Sequence, residues 1–263
     1  MISNDILFLE FERGIKMLKK VTERVYYMDY ENTQRPVIGL VIGNNSCLVI
    51  DGGSSKEHFN EFKRYVEKMD IPPLKYLALT HSHENHVAGA VSSGLINIVN
   101  GMTNEKLKNK SYVDNNIFIS DIIYDEFLKI DLGGIVVELE RIPSDHTRDC
   151  SIIYIPSEKI VFLGDALYSN KKHKNLCYTN ELMIPLLKEL QCYEASSYIP
   201  AHSMVFNYDE FLSYSNKMIT IAKSTKDLVS FEEAEKKVKE KLNLEIDSYD
   251  KELILAFLAG NKN

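Results

Sequence analysis

The sequence predicts a mixed α/β sandwich closed by helices, on three observations. Apolar runs of strand length, bounded by turn residues, crowd the first two-thirds of the chain. After residue 205 the apolar residues recur at helical spacing instead. The 263 residues, 44% of them hydrophobic, suffice for one large α/β domain or a domain with a modest appendage.

The elements follow in order. Strands are predicted over 25–28, 37–42 and 47–50, the last two joined by the turn Gly43-Asn44-Asn45-Ser46. Asp51-Gly52-Gly53 ends the third strand. Ser54 and Glu57 then form a capping box for a helix in which Phe59, Phe62, Val66 and Met69 share a face, stopped at Ile71-Pro72-Pro73. A strand over 74–79 leads into Thr80-His81-Ser82-His83-Glu84-Asn85-His86. Further strands are predicted over 117–120, 135–141, 151–155 and 160–163, with Pro156-Ser157-Glu158-Lys159 as the turn between the last two. A helix over 180–190 and a short strand ending at Pro200 come next. Helices over 208–222, 231–242 (behind a Ser230/Glu233 capping box) and 249–259 complete the chain, the last with Asp250 near its start and Gly260 at its stop.

Composition narrows the function. The formal net charge is −7, from 31 basic and 38 acidic residues, the opposite of a nucleic-acid binder's basic footprint. The apolar runs are too short to span a membrane. Glu10, Glu12 and Arg13 interrupt the apolar run near the N-terminus, which argues against a secretory signal and for a cytoplasmic protein. Cys47, Cys150, Cys177 and Cys192 lie far apart without a CxxC pair, so neither a disulfide framework nor a cysteine zinc knuckle is expected, and three of them fit core positions.

Three of the seven histidines, His81, His83 and His86, fall within six residues at a strand end. In an extended segment alternate residues face one side, so His81 and His83 can address one ion while His86 reaches a neighbouring position. Imidazole suits zinc, which also accepts carboxylates in open catalytic sites. His146, in Ser144-Asp145-His146-Thr147-Arg148, and His202, in Pro200-Ala201-His202, recur near strand ends, and Gly164-Asp165 ends the strand between them. Five histidines and one aspartate make a ligand set large enough for two metals.

The order HxHxxH, His-Thr, Gly-Asp, Pro-x-His, with Asp51-Gly52-Gly53 upstream, resembles the metallo-β-lactamase fold superfamily over about residues 22 to 205. The resemblance implies a four-layered αβ/βα sandwich over 1–205, with its site at the edge between two sheets and residues 206–263 as a C-terminal helical extension on the same domain. It also implies that His81, His83 and His146 hold a first metal, that His86, His202 and residue 85 hold a second, and that Asp165 bridges both. Zinc is the expected metal, one or two ions per chain, with iron or manganese as alternatives. Asp51 would steady the ligand loop from behind, or else simply cap its strand as a turn residue.

One position departs from the pattern HxHxDH: Asn85 stands where the aspartate belongs. A neutral amide oxygen is a weaker donor to a dication, so the second position is expected to fill less readily and the attacking water to be less well oriented. Alternatively Asn85 substitutes as an oxygen ligand, or the protein binds metal or ligand without catalysis. The resemblance implies hydrolysis by metal-activated water, with Asp165 and Asn85 as the catalytic positions, of an ester, thioester, lactone or related bond in a small molecule. Lys171 and Lys172, six and seven residues past Asp165, are candidates to attract an anionic substrate, or belong to a solvated loop. Arg148 is a similar candidate, and Tyr168 is a candidate pocket residue. Oligomeric state is not legible.

Overall fold

The computed structural model describes residues 18–32, 34–108, 118–169, 176–243 and 245–261. Two sheets carry the architecture. The first has the order β1 (Leu18–Lys20), β2 (Val25–Met28), β3 (Ile38–Ile42), β4 (Cys47–Ile50), β5 (Leu74–Ala78), β6 (Ile96–Asn100) and β7 (Ile122–Tyr124). Its pairings are antiparallel from β1 to β4 and parallel from β4 to β7. The second runs β12 (Ser197–Pro200), β11 (Ile160–Gly164), β10 (Ser151–Ile155), β9 (Val136–Arg141) and β8 (Phe127–Asp131), with only β11 and β12 parallel.

Period-2 alternation builds four layers from these sheets. Leu48 and Ile50 of β4 point into a core shared with Leu139, Ile153, Ile160 and Phe162 of the other sheet. Their neighbours Cys47 and Val49 point the opposite way, onto Phe59, Phe62 and Val66 of α1 (Lys56–Val66). On β11, Val161 and Leu163 likewise turn outward, onto Leu186, Leu187 and Leu190 of α4 (Asn180–Gln191). Each fully buried Leu or Phe of these cores contributes about 2 kcal/mol. The short helices α2 (Glu84–Val87) and α3 (Gly101–Leu107) lie between the strands of the first sheet in sequence.

Three helices end the described chain: α5 (Tyr208–Thr225), α6 (Phe231–Leu242) and α7 (Ser248–Gly260). Phe211 and Met218 of α5, Val238 of α6 and Phe257 of α7 share one core with Val161 and Leu163, so these helices close the outer face of the second sheet. Among the described residues no helix is long and apolar enough to cross a membrane.

Several local expectations are corrected. The strand predicted over 117–120 does not form among its described residues, 118–120. Phe118 is drawn into the core, and Asn97 and Asp121 tie the segment to β6: Asn97 N–H donates to the Asp121 carboxylate (2.7 Å) and its side chain to the Ile119 carbonyl (3.1 Å). Helix α1 is capped by Ser55, which accepts from His58 N–H (3.1 Å), while Ser54 N–H is engaged by the His58 ring (3.2 Å). Gly260 is the last residue of α7 rather than a stop beyond it, and a Cβ there would lie 1.9 Å from the Tyr178 carbonyl oxygen, so only glycine permits the approach. Cys47 and Cys150 are buried, Cys177 is half-buried and Cys192 is exposed; none of the four is joined in a disulfide.

Candidate metal centre

The ligand loop begins where β5 stops. Asp51 N–H donates to the Ala78 carbonyl (2.9 Å), Ser151 N–H to the Thr80 carbonyl (2.7 Å) and Gly52 N–H to the His86 carbonyl (2.7 Å), which pins residues 80–86 at the C-terminal ends of β4 and β5. Asp51 itself has φ 61°, a left-handed conformation that aspartate tolerates better than most residues. From there its buried carboxylate accepts from Thr80 N–H (2.8 Å) and the Thr80 hydroxyl (2.9 Å). Gly164, at φ 52°, precedes Asp165; a Cβ there would come within 2.6 Å of the Thr80 side chain, so the glycine lets the end of β11 cross the ligand loop. The register of β11 against β12 shifts between Phe162 and Gly164, a bulge of the kind that re-aims a side chain beside a site.

Five imidazoles and Asp165 converge there. The ligand atoms of His81, His83, His146 and Asp165 lie within 4.8 Å of one another, as do those of His86, Asp165 and His202. Asp165 stands between the two groups. Its Oδ2 is 3.2 Å from His146 Nε2, 3.5 Å from His86 Nε2 and 3.8 Å from His81 Nε2, and its Oδ1 is 3.5 Å from His202 Nε2. His146 Nε2 and His83 Nδ1 face each other at 2.8 Å.

The outer hydrogen bonds define which ring nitrogen faces inward. His86 Nδ1 donates to Asp51 (2.8 Å) and His202 Nδ1 to the Asn32 carbonyl (3.2 Å). With the Thr80 hydroxyl committed to Asp51, His81 Nδ1 donates to Thr80 Oγ1 (3.1 Å). In their neutral forms the Nε2 atoms of all three therefore point lone pairs inward. His81 Nε2, His86 Nε2 and Asp165 Oδ1 are buried without a hydrogen-bond partner among the described residues. Unpaired buried lone pairs are costly unless something answers them, and a cation does. The donor set fits a metal.

Electrostatics agrees at His81, His83 and His202, and at His86 the two carboxylates favour a proton that a metal would displace. Burial, then His86, holds His81 well below the ordinary histidine range despite Asp165. Burial and His146 pull His83 down to about 4. His202 is lowered by burial against the opposing Asp165. Neutral imidazole is the ligating form. Burial would lower His86 too, but Asp165 and Asp51 outweigh it and raise it to about 10. Burial pushes the Asp165 carboxyl up, yet His86 and His146 outweigh it and hold the group well below the usual carboxylate range.

Residues 35–202, which include every one of these ligand atoms, match the family model described as the metallo-beta-lactamase superfamily. The chain belongs to the metallo-beta-lactamase superfamily. Solved structures share the fold. A metallo-beta-lactamase from Pontibacter korlensis is 21% identical at a TM-score of 0.62, over 76% of this chain and 97% of that one. TMB-1 is 20% identical (TM-score 0.59) and DIM-1 metallo-beta-lactamase exposed to ceftazidime 19% (TM-score 0.60), each over 76% of this chain and 95% of the other. No curated protein matches the chain. The superfamily match stops at residue 202, ahead of α5 to α7.

The other expected residues of this superfamily member are placed as follows. Asn85 is half-buried, and its Nδ2 donates to His202 Nε2 at 3.3 Å. The Tyr168 ring lies edge-on to His202 with centroids 5.9 Å apart; burial raises its phenol, with Ser203 opposing. Arg148 is exposed and lines a cleft of about 720 Å³ with His146, Lys106, Met102 and Thr179. Lys171 and Lys172 lie outside the described residues.

Sequence reading missed three residues behind the site. Asp145 accepts from Thr179 N–H (2.9 Å) and Oγ1 (2.8 Å), joining the His146 loop to the start of α4. Asn32 supplies the carbonyl behind His202. Asp149 is wholly buried; burial alone would raise its carboxyl, but Lys106 and Thr147 pull it down to about 2. Its position three after His146 was the one available signal.

Proposed function

We propose that this chain is a metal-dependent hydrolase of an ester, thioester, lactone or related bond in a small molecule. The superfamily is typically one of metal-dependent hydrolases. The observation that carries the reading is the convergence of inward lone pairs on Asp165, with three of those atoms otherwise unpartnered. His81, His83, His146 and Asp165 would hold one ion, zinc by preference of the donor set, and His86, His202 and Asp165 a second. When bound, such an ion supplies Lewis-acid polarisation of the scissile group and a nucleophile from water near neutral pH.

The protein's own groups do the rest. Thr80 and Asp51 hold the rings of His81 and His86, so the inward nitrogens need no reorganisation. The Asn85 amide and the Tyr168 ring border the His202 side. Asn85 offers no negative charge, so the second group depends on its shared carboxylate. Arg148 lines the cleft beside His146 and suits a substrate with an anionic end.

Metal content of protein purified without added metal, followed by a panel of ester, thioester, lactone and phosphodiester substrates, tests the reading. The expected result is at least one zinc per chain and hydrolysis above the metal-free control. Bound metal with no hydrolysis across the panel would favour a metal- or ligand-binding protein, which Asn85 would explain. No metal even after zinc is offered would overturn the proposal.

A further inference from the structure

We propose that Asp149 is a positioning residue for the first ligand group: one buried carboxylate fixes the His81-Ser82-His83 segment against the His146-Thr147 segment. The role rests on the metal-dependent reading above.

Four donors meet the two carboxylate oxygens. Ser82 N–H (3.0 Å) and the Thr103 hydroxyl (3.0 Å) donate to Oδ2, while the Thr147 hydroxyl (2.5 Å) and the Lys106 ammonium (2.5 Å) donate to Oδ1. The side chain is 0% exposed, so these are its surroundings rather than one choice among many. Two of the donors sit next to ligands in sequence. Ser82 lies between His81 and His83; tying its N–H sets the peptide plane between the two, and with it the direction in which both rings leave the backbone. Thr147 follows His146, whose Nε2 must meet His83 Nδ1. The other two donors, Thr103 and Lys106, come from α3, which serves as the fixed support.

A carboxylate is required by count. It accepts at about four lone-pair sites, whereas an asparagine amide offers one acceptor oxygen and turns its NH₂ toward two donors. In Asp149→Asn, therefore, the NH₂ faces either Ser82 N–H or the Lys106 ammonium, neither of which can accept, and the tie on that side of the carboxylate is lost. The Lys106 charge makes the buried carboxylate tolerable, so removing it is a milder form of the same change.

The test uses full-length protein stripped of metal and titrated with Co²⁺ alone, comparing wild type, Asp149→Asn and Lys106→Met. Stepwise affinity and the visible absorption of bound Co²⁺ are read beside the thermal unfolding of each metal-free protein. Asp149→Asn is expected to bind the first equivalent about 10- to 100-fold more weakly, with an altered absorption band and with the later equivalent nearly unchanged. Lys106→Met should shift the first equivalent in the same direction by less. An Asp149→Asn protein with a lower melting temperature but wild-type affinity and spectrum would overturn the role, leaving Asp149 a folding residue only. Should that variant fail to fold, Lys106→Met decides: a weakened first equivalent supports the role and an unchanged one sinks it. A wild type that takes up no Co²⁺ would instead overturn the proposed function itself.

Discussion

The two ligand groups differ less in how firmly their rings are held than in how much charge they offer. In the second group His86 is braced by a carboxylate and His202 by a backbone carbonyl, so both rings arrive oriented. The first group braces His81 through Thr80, and its His83 and His146 face each other directly. Both draw on Asp165. The first, however, brings three imidazoles to that carboxylate, while the second brings two and a neutral Asn85. Preorganisation is thus nearly matched and the donor set is not, so on the metal-dependent reading proposed above the second position would be limited by donors rather than by geometry.

The largest change should come from breaking both groups at once. Asp165→Ala is expected to lose all bound metal and about a thousandfold or more in hydrolysis, the several kcal/mol that metal assistance supplies. Elemental analysis and kcat/KM read this, and a variant that kept one tightly held ion would show that the groups are independent. Asp51→Asn attacks bracing alone. It should weaken the second group by about 10- to 100-fold through His86 and the first by less through Thr80, as separate steps of a metal titration. Equal losses would mean that the bracing is shared rather than divided.

Asn85→Asp sharpens the comparison from the other side. If donors limit the second group, the added carboxylate should raise its affinity at least about tenfold, or ~1.4 kcal/mol, and raise turnover with it. No gain in affinity would return the limit to geometry. The smallest effect concerns acid stability of the metal-free protein. The Asp149 carboxyl lies below its ordinary value, at about 2. Its contribution, on the order of 1 kcal/mol, is therefore fully present above about pH 4 and lost as pH falls toward 2. Urea unfolding of wild type and Asp149→Asn should give midpoints that differ most above pH 4 and converge below it.

Much of this was legible in the sequence. The alternation of Cys47-Leu48-Val49-Ile50 and the close spacing of His81, His83 and His86 are legible locally, whereas the grouping of His146, Asp165 and His202 with them followed from the family resemblance. The run 96–107 was not read, since β6 passes straight into α3 with Asn100 both ending the strand and capping the helix by accepting from Thr103 N–H (2.9 Å). The Asn100-Gly101 pair at the junction reads as a hairpin turn as readily as a helix start. Strand β1 was missed because Leu18-Lys19-Lys20 is a polar edge with no buried residue. Asp149 and Asp145 were invisible for another reason: their partners Ser82 and Thr179 are 67 and 34 residues away, and no spacing rule links them.

The contact at Gly260 bears on the order in which the chain is made. Tyr178 N–H donates to the Ala256 carbonyl (3.1 Å), and the next residue, Thr179, clasps Asp145 beside His146. That wall of the cleft therefore leans on the last described helix, whereas His202, the last of the converging side chains in sequence, is translated before α5 begins. At about 5–20 residues per second, α7 follows His202 by several seconds. During biosynthesis all the converging side chains, and Thr179 with them, are therefore made before the helix that this side of the cleft rests on.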